Sequence, residues 1–323
     1  MKNLIIGGSG HLGAHLARVL LAANQAVRAL LRPGSNAQGL AGLNVEIVHG
    51  DILDSESLAR AMSGCDVAFH LAAPTNLVPE QIHIIVDGTK NVLEQAGKAG
   101  IRKLVYTSSI VTIGYSGSVG EILDEATNQR TTASPYHVGK WQAEKLVLEF
   151  ARASAVSVVV VNPATVVGPL DYRTTPSNLP IQRCLDKGLP FTFDSGLTVV
   201  HAEDVARGHL MAMLKGRSGE RYILGGERIS IPDYFKLICR LCRRPQPYLK
   251  LPRPLMLLMG AAFSTLQRAG HPSVPFTYEQ AAQLVGKYGW YSSRKAVEEL
   301  GYSWRSAEES VRSYIQWVQT RKA

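Results

Sequence analysis

The stretch NLIIGGSGHLG, residues 3–13, decides the fold. Its first residues form a short apolar run suited to a buried strand, and Gly7, Gly10 and Gly13 then follow at intervals of three where a helix begins. Each glycine has a physical task in such a turn. One allows the sharp reversal, one lets the backbone approach a pyrophosphate, and one permits close helix–strand packing, while the helix N-terminus faces the phosphate charge. A glycine turn without a ligand is the alternative for the string by itself. The strand–turn–helix context favours a dinucleotide, with His11 and Leu12 completing the contact set.

Outward from the turn, strands and helices alternate. The helix HLGAHLARVLLAAN is followed by strands AVRALLR and VEIVHGD, the helix SESLARAMSG and the strand DVAFHLAA. A helix around GTKNVLEQAGKAG, a strand RKLVYTSS, a helix from Tyr136 to about Ala153 and a strand SVVVVNP come next. Strands that are apolar throughout and separated by helices predict an α/β fold, a Rossmann-type doubly wound parallel sheet buried on both faces. After Pro163 the rhythm breaks: the Pro-, Thr- and Gly-rich segment 164–197 reads as loops, TVVHAEDVARGHLMAML as a strand and helix, RYILGG as a further strand, and the rest as mainly helices. This predicts a nucleotide-binding domain over 1–165, with 198–225 returning to it. A smaller, mostly helical substrate domain comprises 166–197 and 226–323.

The second strand ends in VRALLRPGSN, with Arg28 and Arg32 and no acidic residue to accept ribose hydroxyls. An arginine there pairs with a 2′-phosphate, so NADP is expected rather than NAD, with Arg32 as the phosphate ligand; a solvated surface arginine is the bland alternative. Just past the third strand, Asp51 and Ile52 of HGDIL are placed to meet the adenine, Asp51 capturing its amino group.

Composition sets bounds on the rest. The chain has 323 residues, 46% of them hydrophobic, enough for one large α/β domain or two smaller ones. The opening MKNLIIGGSG reaches glycines too early for a signal peptide, and four cysteines (65, 184, 239 and 242) are too few for a disulfide framework, so a cytoplasmic, reducing location is expected. Cys239 and Cys242 form a CxxC within a helical pattern with no second Cys or His pair nearby, and His11 and His15 lack a nearby carboxylate; no metal is expected at either place. The net charge of +9 is scattered and carries no nucleic-acid motif. Attraction to an anionic cofactor, substrate or membrane surface accounts for it equally well. The longest apolar stretch, Leu255 to Leu266, spans about 18 Å as a helix, too short for a bilayer core of roughly 30 Å. It reads as a buried helix, or as an element making weak membrane-surface contact through 250–268, since Lys250, Arg253 and Arg268 flank it.

The chemistry concentrates in SPYHVGK, residues 134–140. A tyrosine phenol has a pKa of about 10, and a lysine four residues on along a helix brings a cation close enough to favour the phenolate. The same spacing recurs in YSSRK, residues 291–295, which lies far past the nucleotide-binding strands and reads as the opening of a C-terminal helix.

The strings GGSGHLG, HGDIL, FHLAA, VYTSSIVTIG, SPYHVGK and VNPATVVGP occur in the order and at the spacings of the extended short-chain dehydrogenase/reductases, and over nearly its whole length the chain resembles that family. In finer detail it is similar to the dihydroflavonol-reductase and 3β-hydroxysteroid-dehydrogenase branch. Its segments SGLTVVHAEDVARGHLMAM and RYILGG look closest to hopanoid-associated proteins that carry a sugar-epimerase label. The resemblance implies a catalytic set in which Tyr136 gives the proton, Lys140 lowers the Tyr136 pKa and holds the nicotinamide ribose, and Ser109, rather than its neighbour Ser108, hydrogen-bonds the substrate oxygen. It also implies that Ala72 and Ala73 pass under the cofactor's ribose and phosphates, and that Pro163 and Val166 flank the nicotinamide. A homodimer through the helices near 86–99 and 136–153 is implied as well. Two positions depart from the family pattern: Ile85 stands where an asparagine is common, and Gly139 where a serine usually precedes the lysine.

The expectation that follows is NADP(H)-dependent interconversion of a ketone and a secondary alcohol on a fairly apolar small molecule. Two rivals are NDP-sugar epimerisation or dehydration with tightly held NAD, for which Arg173 and Arg183 could bind the diphosphate, and a catalytically silent NADP-binding subunit.

Overall fold

The computed structural model describes residues 1–74, 79–127, 134–270 and 276–322. In the first half, strands β1 (Lys2–Ile6), β2 (Ala26–Leu31), β3 (Glu46–His49), β4 (Val67–His70), β5 (Lys103–Thr107) and β6 (Ser157–Pro163) alternate with helices α1 (His11–Ala22), α2 (Ser55–Met62), α3 (Ile82–Lys98) and α4 (Pro135–Ala153). The second half adds β7 (Thr165–Val167), α5 (Leu179–Lys187), β8 (Phe191–Phe193), β9 (Gly196–His201), α6 (Ala202–Lys215), β10 (Arg221–Leu224) and β11 (Glu227–Ser230). It ends with α7 (Ile231–Leu241), β12 (Leu249–Leu251), α8 (Arg253–Arg268), α9 (Tyr278–Leu284) and α10 (Ala307–Lys322).

Seven strands form one parallel sheet in the order β3-β2-β1-β4-β5-β6-β10. Side chains alternate across it as the strand period requires. Leu4 and Ile6 of β1 enter a core with Leu58 of α2, Val92 of α3 and Val147 of α4, whereas Ile5 enters the opposite core with Leu16 and Leu20 of α1 and Val205 and Met213 of α6. Both faces are therefore buried, which is why β6 can carry Val158, Val159, Val160 and Val161 in succession. The chain runs outward from β1 to β3, then returns to lay β4 against the other side of β1. That reversal opens a crevice at the carboxyl ends of β1 and β4, where open α/β sheets hold ligands.

The segment 164–197, expected as loops, contains β7, α5 and β8. Its turn-forming residues mask short buried runs: Val167 pairs with His201 of β9, and Ile181 and Cys184 bury one face of α5. β9 itself joins β7 and β11 in a separate three-stranded sheet, while its Val200, α6 and β10 pack into the core of the large sheet. A third core, including Ile181, Phe193, Tyr234, Ile238 and Tyr314, underlies this second region.

Candidate active site

At the end of β1, Gly7 has φ +97°, and a Cβ there would lie 2.9 Å from the Ala72 backbone nitrogen. At Gly13 a Cβ would lie 2.4 Å from the Gly7 carbonyl oxygen, so α1 can sit this close to β1 only with glycine at that position. Gly10 caps α1 without any side-chain hydrogen bond, and the first turn carries no acidic residue. Its N–H groups, including those of His11 and Leu12, thus form a cradle fitted to an anion. The His11 imidazole itself turns away from the cradle. Its Nε2 and that of His15 both lie 2.9 Å from the Pro169 carbonyl oxygen, and burial lowers the pKa of both rings, His15 to about 3. No cluster of His, Cys, Asp or Glu able to hold a metal occurs among the described residues. Two of the cysteines nonetheless meet, the Cys184 and Cys239 sulfurs lying 3.6 Å apart.

The two arginines of the second strand separate by environment. Arg28 is buried, donates to the Ala61 and Ser63 carbonyls at 2.7 Å and pairs with Glu46 at 2.8 Å, so it fastens β2 to β3 and α2. Arg32, one residue past β2, is exposed and has no side-chain partner among the described residues. Just past β3, Asp51 caps its own turn by accepting from the Leu53 N–H at 2.9 Å, and Ile52 packs against Gly88 of α3. Ala72 and Ala73, beyond β4, remain partly exposed beside Gly7.

Ser134 caps α4 by accepting from the His137 N–H, and Pro135 opens its first turn, which places Tyr136 at the crevice end of the helix and Lys140 one turn further in. Ser109 follows β5 and caps a short helical turn by accepting from the Val111 N–H at 3.3 Å. Its hydroxyl stands near enough to Tyr136 to oppose the rise in the phenol pKa that burial causes. The structure thus brings together the serine chosen from the sequence and the tyrosine, while Ser108 is buried with a hydroxyl that meets no partner among the described residues. Lys140 is buried, donates to the Thr107 carbonyl at 2.7 Å and lies 5.0 Å over the Tyr106 ring; burial lowers its ammonium to about 7, with nearby Glu144 opposing the shift. One expectation is not met. Burial pushes the Tyr136 phenol up and the approach of Ser109 opposes it, while one of the three N–H donors of Lys140 goes to the Thr107 carbonyl rather than to the phenol. Pro163 ends β6 opposite Leu224, and Val166 lies partly buried in β7.

The two departures from the family pattern answer each other. A Cβ at Gly139 would lie 3.2 Å from the Ile85 Cδ1, so the isoleucine on α3 occupies the room that a serine on α4 would need. The other YxxxK match is taken apart. Tyr291 donates to the Gly114 carbonyl at 2.6 Å, whereas Lys295 pairs with Glu220 at 2.5 Å and stands over Tyr222. Arg173 and Arg183, the arginines considered for a diphosphate, are both exposed.

Sequence reasoning missed a buried network beneath Ser109. Glu144, one turn after Lys140, accepts from Asn162 at 2.7 Å and Arg221 at 2.9 Å, the single Thr112 hydroxyl proton lies within 2.8 Å reach of both the Glu144 carboxylate and the Ser109 carbonyl, and Asn162 also donates to that carbonyl. The signal was present: a carboxylate between Ala143 and Val147 on the buried face of a helix requires partners. His137 was missed as well. Its ring is buried beside Tyr136 and Tyr115, burial lowers its pKa to about 4, and its Nε2 has no partner among the described residues.

Comparison with known proteins agrees with this geometry. The model of the NAD dependent epimerase/dehydratase family matches residues 3–225. The chain is 34% identical to the “Putative dihydroflavonol 4-reductase” of Synechocystis sp. over 98% of this chain and 94% of that one. It is 32% identical to the sterol demethylase protein B of Methylococcus capsulatus over 99% of each. The crystal structure of gox2253 superposes with a TM-score of 0.88 at 35% identity, covering 99% of this chain and 98% of that one. Fold, glycine cradle and sequence together show that the chain belongs to the NAD dependent epimerase/dehydratase family of extended short-chain dehydrogenase/reductases, as an oxidoreductase that uses a nicotinamide dinucleotide.

Proposed function

We propose that the protein is an NADP(H)-dependent reductase interconverting a ketone and a secondary alcohol on a fairly apolar small molecule. The observation that carries this reading is the meeting of Ser109 with Tyr136, one helical turn from Lys140 at the carboxyl end of the parallel sheet. The Ser109 oxygen already accepts from Val111, so its O–H is free to donate to a substrate oxygen. Tyr136 releases its proton to that oxygen as negative charge develops, and the Lys140 ammonium offsets the phenolate left behind. The dinucleotide supplies or accepts the hydride when bound. The first-turn N–H groups of His11, Leu12 and Gly13 would hold its pyrophosphate, with Gly7 and Gly10 shaping the turn that lets it approach, and Ala72 and Ala73 would stand beside its ribose and phosphates. Asp51 and Ile52 meet the adenine, and Pro163 and Val166 flank the nicotinamide.

The preference for NADP rests on Arg32, exposed and unpaired at the end of β2, and on residues 1–45, which contain no aspartate or glutamate. The two relatives, named “Putative dihydroflavonol 4-reductase” and “Sterol demethylase protein B”, support a fairly apolar substrate. Titration with NADPH and NADH tests the cofactor half. NADPH should bind at least roughly tenfold more tightly, and Arg32→Ala should remove most of that difference, since one charge-assisted phosphate contact is of that order. Equal binding of the two, or purification with bound NAD⁺ and no net NADPH turnover, would replace the proposal with the epimerase reading.

A further inference from the structure

Helix α8 seats itself by one narrow face. Met256, Gly260 and Ser264, four residues apart, are its buried positions, and a Cβ at Gly260 would lie 2.9 Å from the Tyr278 Cα of α9. The opposite face is an exposed stripe of Leu255, Leu258, Ala262 and Leu266, with Leu258 69% exposed. The reading of this stretch as a buried helix is therefore replaced by a half-seated one. Exposed apolar side chains continue beyond the helix, through Tyr248 (84% exposed) and Leu249 before it and Leu284 on α9. A surface-seated helix of a soluble protein normally shows charge on its outer face. Here the cations stand at the ends, with Lys250 and Arg253 at the start and Arg268 at the finish. Lys250 approaches Asp194 only at 4.0 Å, and Arg253 and Arg268 have no ion pair among the described residues. Between Asp233 and Glu279 the chain contains no acidic residue at all.

We propose that this face docks on an anionic lipid bilayer, laying the Leu255–Leu266 stripe along the headgroup boundary while Lys250, Arg253 and Arg268 pair with lipid phosphates. An apolar stripe rimmed by cations matches such a surface in both its layers. A second copy of the chain fits less well, because a two-fold contact would set the same uncompensated cations against each other. No helix among the described residues is long and apolar enough to cross a membrane, so the contact is peripheral. It is separate from the reductase chemistry and stands or falls independently of it.

Co-sedimentation of the full chain with phosphatidylcholine vesicles, and with the same vesicles containing phosphatidylglycerol, tests this. The protein should pellet with the phosphatidylglycerol vesicles, be released by salt, and lose binding in Leu258→Glu. In Lys250→Glu/Arg253→Glu the bound fraction should fall at least about tenfold, each cation near an anionic surface being worth roughly fivefold. All three positions are exposed, and an unchanged thermal unfolding curve for each variant shows that it is folded. No pelleting by the wild type, equal pelleting with neutral vesicles, or binding indifferent to these variants overturns the proposal. Dimerisation in solution that Leu258→Glu abolishes overturns it too, in favour of a second copy as the occupant.

Discussion

Burial lowers the Lys140 ammonium from its ordinary 10.5 to about 7, and Glu144, one turn on, opposes that shift. A lowered pKa means that the cation exists below about 7 and is lost above it, so reductive kcat/KM should fall as pH rises through that value. Glu144→Gln removes the charge that supports the ammonium, and the descending limb should then move to lower pH. A purely structural role for Glu144 would lower the rate without moving the limb. Asn162, Thr112 and Arg221, all joined to Glu144, explain why a buried carboxylate is kept there: the network fixes the carbonyl of Ser109, the residue proposed to bind the substrate oxygen. The pair Ile85 and Gly139 yields a second expectation. Gly139→Ser should destabilise the protein by about 1–3 kcal/mol through overpacking, and the loss should shrink in the double variant with Ile85→Ala, a coupling readable by denaturant unfolding.

Elements were legible in proportion to how far their own pattern dictates them. β1, β2 and β4 to β6 are largely apolar runs, the exposed edge strand β3 (EIVH) being the exception, and α1 to α4 carry apolar positions at helical spacing, so most of these elements announce themselves. Segment 164–197 did not, because β7 and β8 have only three residues each and depend on pairing with β9 and β12, partners that no local pattern reveals. The glycine turn lies at the legible extreme, since its residues are set by backbone clearance. Gly13→Ala would press a methyl group to 2.4 Å from the Gly7 carbonyl and 2.8 Å from the Gly8 Cα. Nucleotide affinity should fall at least about tenfold, or 1.4 kcal/mol, as measured by calorimetric titration.

At the scale of the molecule, one sheet brings the cradle after β1, Arg32 after β2, Asp51 after β3 and Ser109 after β5 to the same carboxyl edge, and α4 delivers Tyr136 and Lys140 to it. This convergence was readable from order and spacing, because parallel strands joined by helices leave little choice of edge. Electrostatics was not readable in the same way. The spacing of Tyr136 and Lys140 suggested direct depression of the phenol, whereas in the fold burial raises it, Ser109 opposes that rise, and Lys140 donates to the Thr107 carbonyl. The central claim is that Tyr136 is the proton donor of an NADPH-dependent ketone reduction, and NADPH consumption with a panel of apolar ketones, compared between the wild type and Tyr136→Phe, tests it most directly. Turnover by the wild type, reduced at least about a hundredfold in a variant that still binds NADPH, is the result expected of a lost general acid. Equal turnover by the two proteins would contradict the account.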